Sequence, residues 1–227
     1  MSKKRVFAIF MLVVMAVVLS ACKEKPSSSR AAESVTRTAR QAEPTVAKPD
    51  LTPDAVGQAA KTLDFALTDH NGKQVKLSDY AGKIVVLEWL NYDCPFVKPH
   101  YEAGTFANLA KKYAGKDVVW LAVNSTEYAD IKANKAWAQK YKLPYPILDD
   151  HSGKVGRLFG ATNTPHIFII DKAGKIAYEG AIDNAPLGKV EGEYVNYVDN
   201  ALAELTAGKS VSLNKTKPYG CTVKYAN

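Results

Sequence analysis

From Gly57 onward the hydrophobic positions fall into short blocks separated by turn residues. Leu63 to Leu67 and Lys73 to Leu77 flank Asp69-His70-Asn71-Gly72, which predicts two strands joined at an Asn-Gly turn. Ile84-Val85-Val86-Leu87-Glu88-Trp89-Leu90 is almost unbroken apolar sequence, the pattern of a central strand buried on both faces, and one acid interrupts it. Past a break at Asn91-Tyr92-Asp93, the spacing predicts a helix from about Pro95 to Tyr113 and a strand over Val118 to Val123. A second helix near Tyr128 to Tyr141 and a short strand around Ile147 complete a βαβ unit with a right-handed crossover. His166 to Ile170 and Lys175 to Tyr178 enclose Asp171-Lys172-Ala173-Gly174 as another hairpin, before a last helix around Gly192 to Ala207. The expected fold is α/β: a central mixed sheet flanked by helices, with an N-terminal hairpin and a C-terminal tail.

The first 56 residues follow different patterns. Lys3-Lys4-Arg5 precede 14 uncharged apolar residues, Val6 to Leu19. At 1.5 Å per residue these span about 21 Å, short of a hydrocarbon core of about 30 Å, so residues 1–21 read as an export signal. Leu19-Ser20-Ala21-Cys22 resembles the bacterial lipobox, which implies cleavage before Cys22, acylation of its thiol and attachment to a membrane. A soluble signal cut nearby is the alternative, and the small Ser20 and Ala21 favour lipidation. Lys23 follows Cys22, which by the same resemblance implies the outer membrane where there are two. Residues 22–56 are Ser, Ala, Pro and charge, with no aromatic between Phe10 and Phe65, so they are expected to form a flexible tether. The organisation is then signal 1–21, tether 22–56, domain 57–207 and a cysteine-containing tail 208–227.

Composition narrows the function classes. With 47% hydrophobic and 23% charged residues in 227, the chain is neither fibrous, polytopic nor disordered throughout. The net charge of +7 shrinks once the signal is removed, leaving 27 Lys and Arg against 23 acids, too mild a surplus for a nucleic-acid partner. Three cysteines, Cys22, Cys94 and Cys221, are too few and too scattered for a disulfide scaffold or a four-cysteine zinc site.

Cys94 stands where the buried strand hands over to the predicted helix. Pro95 suits the first helical position, which would make Cys94 the N-cap. Its sulfur would then face the N–H groups of Phe96 and Val97 and the positive end of the helix dipole, and a thiolate would be favoured. An inert core residue is the commoner fate of a lone cysteine. The strand-to-helix position and the following Pro favour a reactive one.

The run Glu88-Trp89-Leu90-Asn91-Tyr92-Asp93-Cys94-Pro95, with Thr164-Pro165 directly before a hydrophobic strand, resembles the thioredoxin-like redoxins, including the alkyl hydroperoxide reductase/thiol-specific antioxidant branch. The resemblance covers roughly residues 57–207. It implies a thioredoxin-like fold and a cis Pro165, with the Thr164 backbone facing Cys94. It also implies a buried Glu88 that relays a proton, and an edge of Thr164, Pro165 and Pro95 where a thiol or peptide docks. A thioredoxin has a second cysteine where this chain has Val97. A peroxiredoxin has Pro and Thr or Ser where this chain has Leu87 and Asn91. Neither subfamily's motif is complete. His100, six residues past Cys94, falls about 120° around an ideal helix from it, and together with His166 and Arg157 it is expected to be structural or peripheral.

The tail holds four lysines, no acid and Cys221. The 13 residues from Gly208 to Gly220 reach about 40 Å when extended, enough to bring Cys221 to Cys94. Besides an external partner, Cys221 is the one candidate resolving thiol in the mature chain. The expected function is an exported, membrane-anchored thiol-disulfide oxidoreductase with a thiol or disulfide protein, or a peroxide, as partner, and with neither cofactor nor metal. Cys94 is its nucleophile, Cys221 its resolver and Glu88 its proton relay. Two alternatives stand beside it: a Cu(I)-binding protein using the two sulfurs, or a scaffold stapled by a Cys94–Cys221 disulfide.

Overall fold

A computed structural model describes residues 63–190 and 192–227; the signal, Cys22 and the tether lie outside the described residues. The first hairpin forms as its turn demands. β1 (Ala66–Asp69) pairs antiparallel with β2 (Gln74–Lys76), and Asp69 Oδ1 accepts from the Asn71 and Lys73 N–H groups at 2.8 and 2.9 Å. A 3-10 turn at Leu77–Tyr80 leads into β3 (Ile84–Trp89), every residue of which is buried.

β4 (Val118–Asn124) and β5 (Ile147–Asp149) extend β3 in parallel. On the other side, β7 (His166–Ile170) runs antiparallel to β3 and to β8 (Ile176–Gly180), after the two-residue β6 (Asn163–Thr164). The seven-stranded order is β2-β1-β5-β4-β3-β7-β8, a mixed sheet of the thioredoxin-like kind. Its two faces sort by the period of two. Ile84 and Val86 join Trp120, Ala122, Ile167 and Ile169 on one face, and Val85, Leu87 and Trp89 join Leu121, Val123 and Phe168 on the other. Each fully buried aliphatic side chain contributes about 1.5–3 kcal/mol.

The helices depart from expectation at informative places. In place of one helix from Pro95 there are two, α1 (Lys98–Glu102) and α2 (Thr105–Tyr113). Pro99 has no N–H to donate to the carbonyl of Pro95, so regular helix starts only at Lys98. Gly104, at φ +69°, then breaks the run. α3 (Ile131–Lys140) starts at an Asp130 cap that accepts from the Ala133 N–H at 2.6 Å, and α5 (Tyr197–Thr206) at an Asn196 cap that accepts from Asp199 N–H at 2.8 Å. α4 (Lys154–Phe159) was not expected. It is six residues long between two left-handed glycines, Gly153 and Gly160, and Asp150 caps it by accepting from the Val155 and Gly156 N–H groups.

Residues 208–227 form a docked strap instead of a free arm. Glu179 and Thr216 exchange backbone bonds with the strap and the sheet edge, Val223 N–H donates to the Thr162 carbonyl at 3.1 Å, and Tyr225 Oη donates to the Ala161 carbonyl at 2.6 Å. Between these anchors lies β9 (Cys221–Thr222), paired antiparallel with β6.

Candidate active site

Cys94 follows β3 on a tight loop. Its N–H donates to the Asn91 carbonyl at 3.1 Å, and the Asn91 side chain braces the loop by accepting from Asp93 N–H at 2.7 Å and donating to Tyr128 Oη at 3.1 Å. Cys94 is 2% exposed, packed with Val97 and Tyr101 on the α1 and α2 face of the sheet. Its thiol donates to the Thr164 carbonyl at 3.1 Å.

Strand pairing sets Cys221 opposite Thr164, so both cysteines converge on one residue. Burial pushes the Cys94 thiol up, but hydrogen bonding from the Cys221 thiol and from the Cys221 and Phe96 N–H groups outweighs it, and the net shift is downward. Burial, the hydrogen bond to Cys94 and the Cys94 charge push Cys221 the other way, up to about 11. Of the two thiols, Cys94 is therefore the one that gives up its proton more readily. Both are free thiols.

The source of that stabilisation differs from the helix N-terminus expected at Cys94. α1 begins at Lys98 with Val97 before it, and the Val97 N–H is used by the Cys94 carbonyl at 3.0 Å. Only the Phe96 N–H of the expected pair serves the sulfur. The second thiol does the larger share. The Thr164–Pro165 peptide is cis, Thr164 and Pro165 are buried, and Pro95 is exposed beside Cys94. The Thr164 edge is taken by the chain's own β9.

Glu88 is fully buried on the same face of the sheet, and accepts from Tyr101 Oη at 2.6 Å, Trp120 Nε1 at 2.9 Å and Tyr145 Oη at 3.3 Å. Cys94 is not among its partners. Burial raises its carboxyl from 4.5 to about 7 despite these three donors. The folded state thus holds the proton more tightly than the unfolded chain, so this group costs nothing below about pH 4.5, and stability falls as pH rises through about 7. Glu88→Gln is expected to remove a loss on the order of 3 kcal/mol between those limits. Urea melts of both proteins at about pH 4.5 and about pH 8 check it, and parallel pH dependence would refute it.

The remaining candidates lie apart from the sulfurs. His100 is buried with its ring turned to Tyr219 and Asp183, and burial lowers its pKa against the pull of Asp183. His166 is held at about 4 by burial and stacks on Phe168 on the opposite face. Arg157 binds the Ser152 and Ala226 carbonyls and lies over the Tyr225 ring, fastening the chain's end. Among the described residues no group of three or more His, Cys, Asp or Glu side chains is arranged to hold a metal. Sequence reasoning missed Asp183 and Tyr219, which meet near the strap.

A thioredoxin-like sheet with a polarised cysteine after its central strand and a cis-proline opposite defines a redoxin domain. The chain belongs to the AhpC/TSA family, whose model matches residues 56–179. That match ends before Cys221. The chain is similar to thiol-disulfide oxidoreductase ResA of Bacillus thuringiensis subsp. konkukian, 34% identical over 117 residues, covering 51% of this chain and 65% of the relative. It is also similar to the chloroplastic peroxiredoxin Q of Triticum aestivum, 32% identical over 133 residues, covering 54% and 58%. The chain thus spans less than two thirds of either relative. Among solved structures, an uncharacterized conserved protein from Geobacillus kaustophilus matches with TM-score 0.66 and 28% identity over 72% of this chain and 89% of that one. A hypothetical protein from Sinorhizobium meliloti matches with 0.65 and 27% over 72% and 91%.

Proposed function

We propose that the chain is an exported, lipid-anchored thiol oxidoreductase in which Cys94 attacks and Cys221 resolves. The observation that carries this is the meeting of the two sulfurs at Thr164 with opposite shifts, Cys94 down and Cys221 up. The Cys94 thiolate attacks a disulfide, forming a mixed disulfide and expelling one thiolate, or attacks a peroxide, forming a sulfenic acid and expelling the alcohol or water. Cys221 then attacks the Cys94 sulfur, loses its proton and expels the second thiol or water, leaving a Cys94–Cys221 disulfide. A dithiol partner returns two electrons. Glu88 exchanges its proton near neutral pH behind this site through Tyr101 and Tyr145. The ResA and peroxiredoxin Q relatives support the reaction class.

Alkylation of each thiol against pH, mapped by mass, tests the assignment. Cys94 is expected to titrate below the ordinary thiol range and Cys221 near 11, and Cys221→Ala to raise Cys94 because its largest stabilising partner is gone. A Cys94 that titrates with or above Cys221 would refute the roles. The anchor rests on Leu19-Ser20-Ala21-Cys22. Cys22→Ala is expected to leave an uncleaved or soluble product on membrane fractionation, and unchanged mass with unchanged membrane retention would contradict it.

A further inference from the structure

The strap is pinned just before Cys221 by buried polar groups that the redox chemistry does not itself use. Tyr219 Oη donates to Asp183 Oδ1 at 2.7 Å and lies 2.8 Å from His100 Nε2. Asp183 is 2% exposed, and its other oxygen accepts from Tyr194 Oη at 3.0 Å and stands 3.9 Å from His100 Nδ1. The Tyr219 ring packs beside Phe96, the residue whose N–H serves the Cys94 sulfur. Asp183 lies beyond β8, His100 on α1 and Tyr219 on the strap, so three separate elements meet at one hydroxyl. A buried carboxylate whose strongest contact is a residue of the C-terminal strap fixes where that strap runs.

A single residue separates this anchor from Cys221. Gly220, at φ +104°, lets the chain pass against the Thr164 carbonyl, and Cys221 follows immediately in register with Thr164. On the far side, Val223, Lys224 and Tyr225 are bonded to residues of the domain. Cys221 is therefore held from both ends, with Tyr219 as the nearer side-chain anchor on its N-terminal side.

We propose that Asp183 and His100, acting through Tyr219, are positioning residues that hold Cys221 in line with Cys94 for the resolving step. The proposal rests on the assignment of Cys94 and Cys221 as a reacting pair. With glutathione disulfide as oxidant, the Cys94 thiolate takes one glutathione sulfur and releases the other as thiolate. The Cys221 thiol then displaces the bound glutathione, which leaves with the Cys221 proton, and the Cys94–Cys221 bond forms. The clamp bears chiefly on the second displacement, where Cys221 is the attacking group; in the first, Cys221 serves only as a hydrogen-bond donor to the Cys94 sulfur, so a displaced strap affects that step less.

The test is a quenched time course of the reduced full chain with glutathione disulfide, followed by mass, for wild type, Tyr219→Phe, Asp183→Asn and Cys221→Ala. Tyr219→Phe keeps the ring and removes only the hydroxyl, and thermal melts verify that each variant is folded. Wild type should show a transient Cys94–glutathione adduct, and Cys221→Ala should accumulate it. Tyr219→Phe and Asp183→Asn should clear the adduct at least about tenfold more slowly, as a misplaced reacting group does, and should slow its formation by a clearly smaller factor, the part that Cys221 contributes to the Cys94 thiolate. Clearance within about twofold of wild type in folded Tyr219→Phe, or equal slowing of both steps, would overturn the clamp. Wild-type clearance in Cys221→Ala would instead overturn the pairing itself, and the clamp with it.

Discussion

Replacing Cys94 by alanine is expected to reduce turnover with a dithiol donor by at least about a hundredfold, because the activated thiolate and one half of the redox pair disappear together. Cys221 cannot substitute. Much of its proton affinity comes from burial, its anion has no comparable set of donors, and a single thiol cannot complete an intramolecular disulfide. Cys221→Ala should behave differently, since the first attack survives and the adduct waits for an external thiol. A Cys94→Ala protein retaining more than about a tenth of wild-type turnover would place the nucleophile elsewhere.

Gly220→Ala is expected to release the strap. At φ +104° an L side chain is strained, and its β-carbon would overlap the Thr164 carbonyl oxygen, with the carbonyl carbon at 3.0 Å and Phe96 Cβ at 3.2 Å. The obstacle is backbone inside the β6–β9 pair and has no rotamer to change. A local cost of about 2–4 kcal/mol follows from the strain and the clash, comparable to what two backbone bonds and the flanking side chains return. Resolution by Cys221 should slow about a hundredfold while the seven-stranded sheet, which does not include β9, stays intact. Hydrogen exchange decides it: the amides of Thr222 to Tyr225 should lose protection and those of β3 and β7 keep it. Unchanged protection at both places would show that the strap tolerates the methyl group.

Much of this was legible from residue patterns. The continuous apolar run of β3 gave a strand buried on both faces, Asp69-His70-Asn71-Gly72 and Asp171-Lys172-Ala173-Gly174 gave both hairpin turns, and the order of elements gave the sheet. Cys94 does meet the Thr164 carbonyl, and the Thr164–Pro165 peptide is cis. The helix after Cys94 was misjudged because Pro95 suits a helix start, while the effect of Pro99 depends on a hydrogen bond four residues back. α4 was hidden by its brevity and by a glycine at each end. The strap was the larger surprise. Its sequence is lysine-rich and weakly patterned, and what fixes it is not local: the Thr164 edge, the Ala161 and Thr162 carbonyls, and a carboxylate at Asp183 far away in the chain. Trp89 points away from Cys94 into the other face, where its Nε1 donates to Ser125 Oγ at 3.0 Å.

The docked strap turns the question of Cys221 into one of chemistry. Strand pairing already sets Cys221 opposite Thr164, the residue whose carbonyl the Cys94 thiol contacts. A stabilised Cys94 thiolate makes a good leaving group and raises the reduction potential of the pair. The decisive measurement is a redox titration of the full chain in which the oxidised fraction is mapped by mass at each potential. The expected result is one two-electron transition that joins the Cys94 and Cys221 peptides, with a midpoint well above the roughly −300 mV of structural disulfides. A bond that survives strongly reducing buffer, or oxidation that never joins those two peptides, would contradict it.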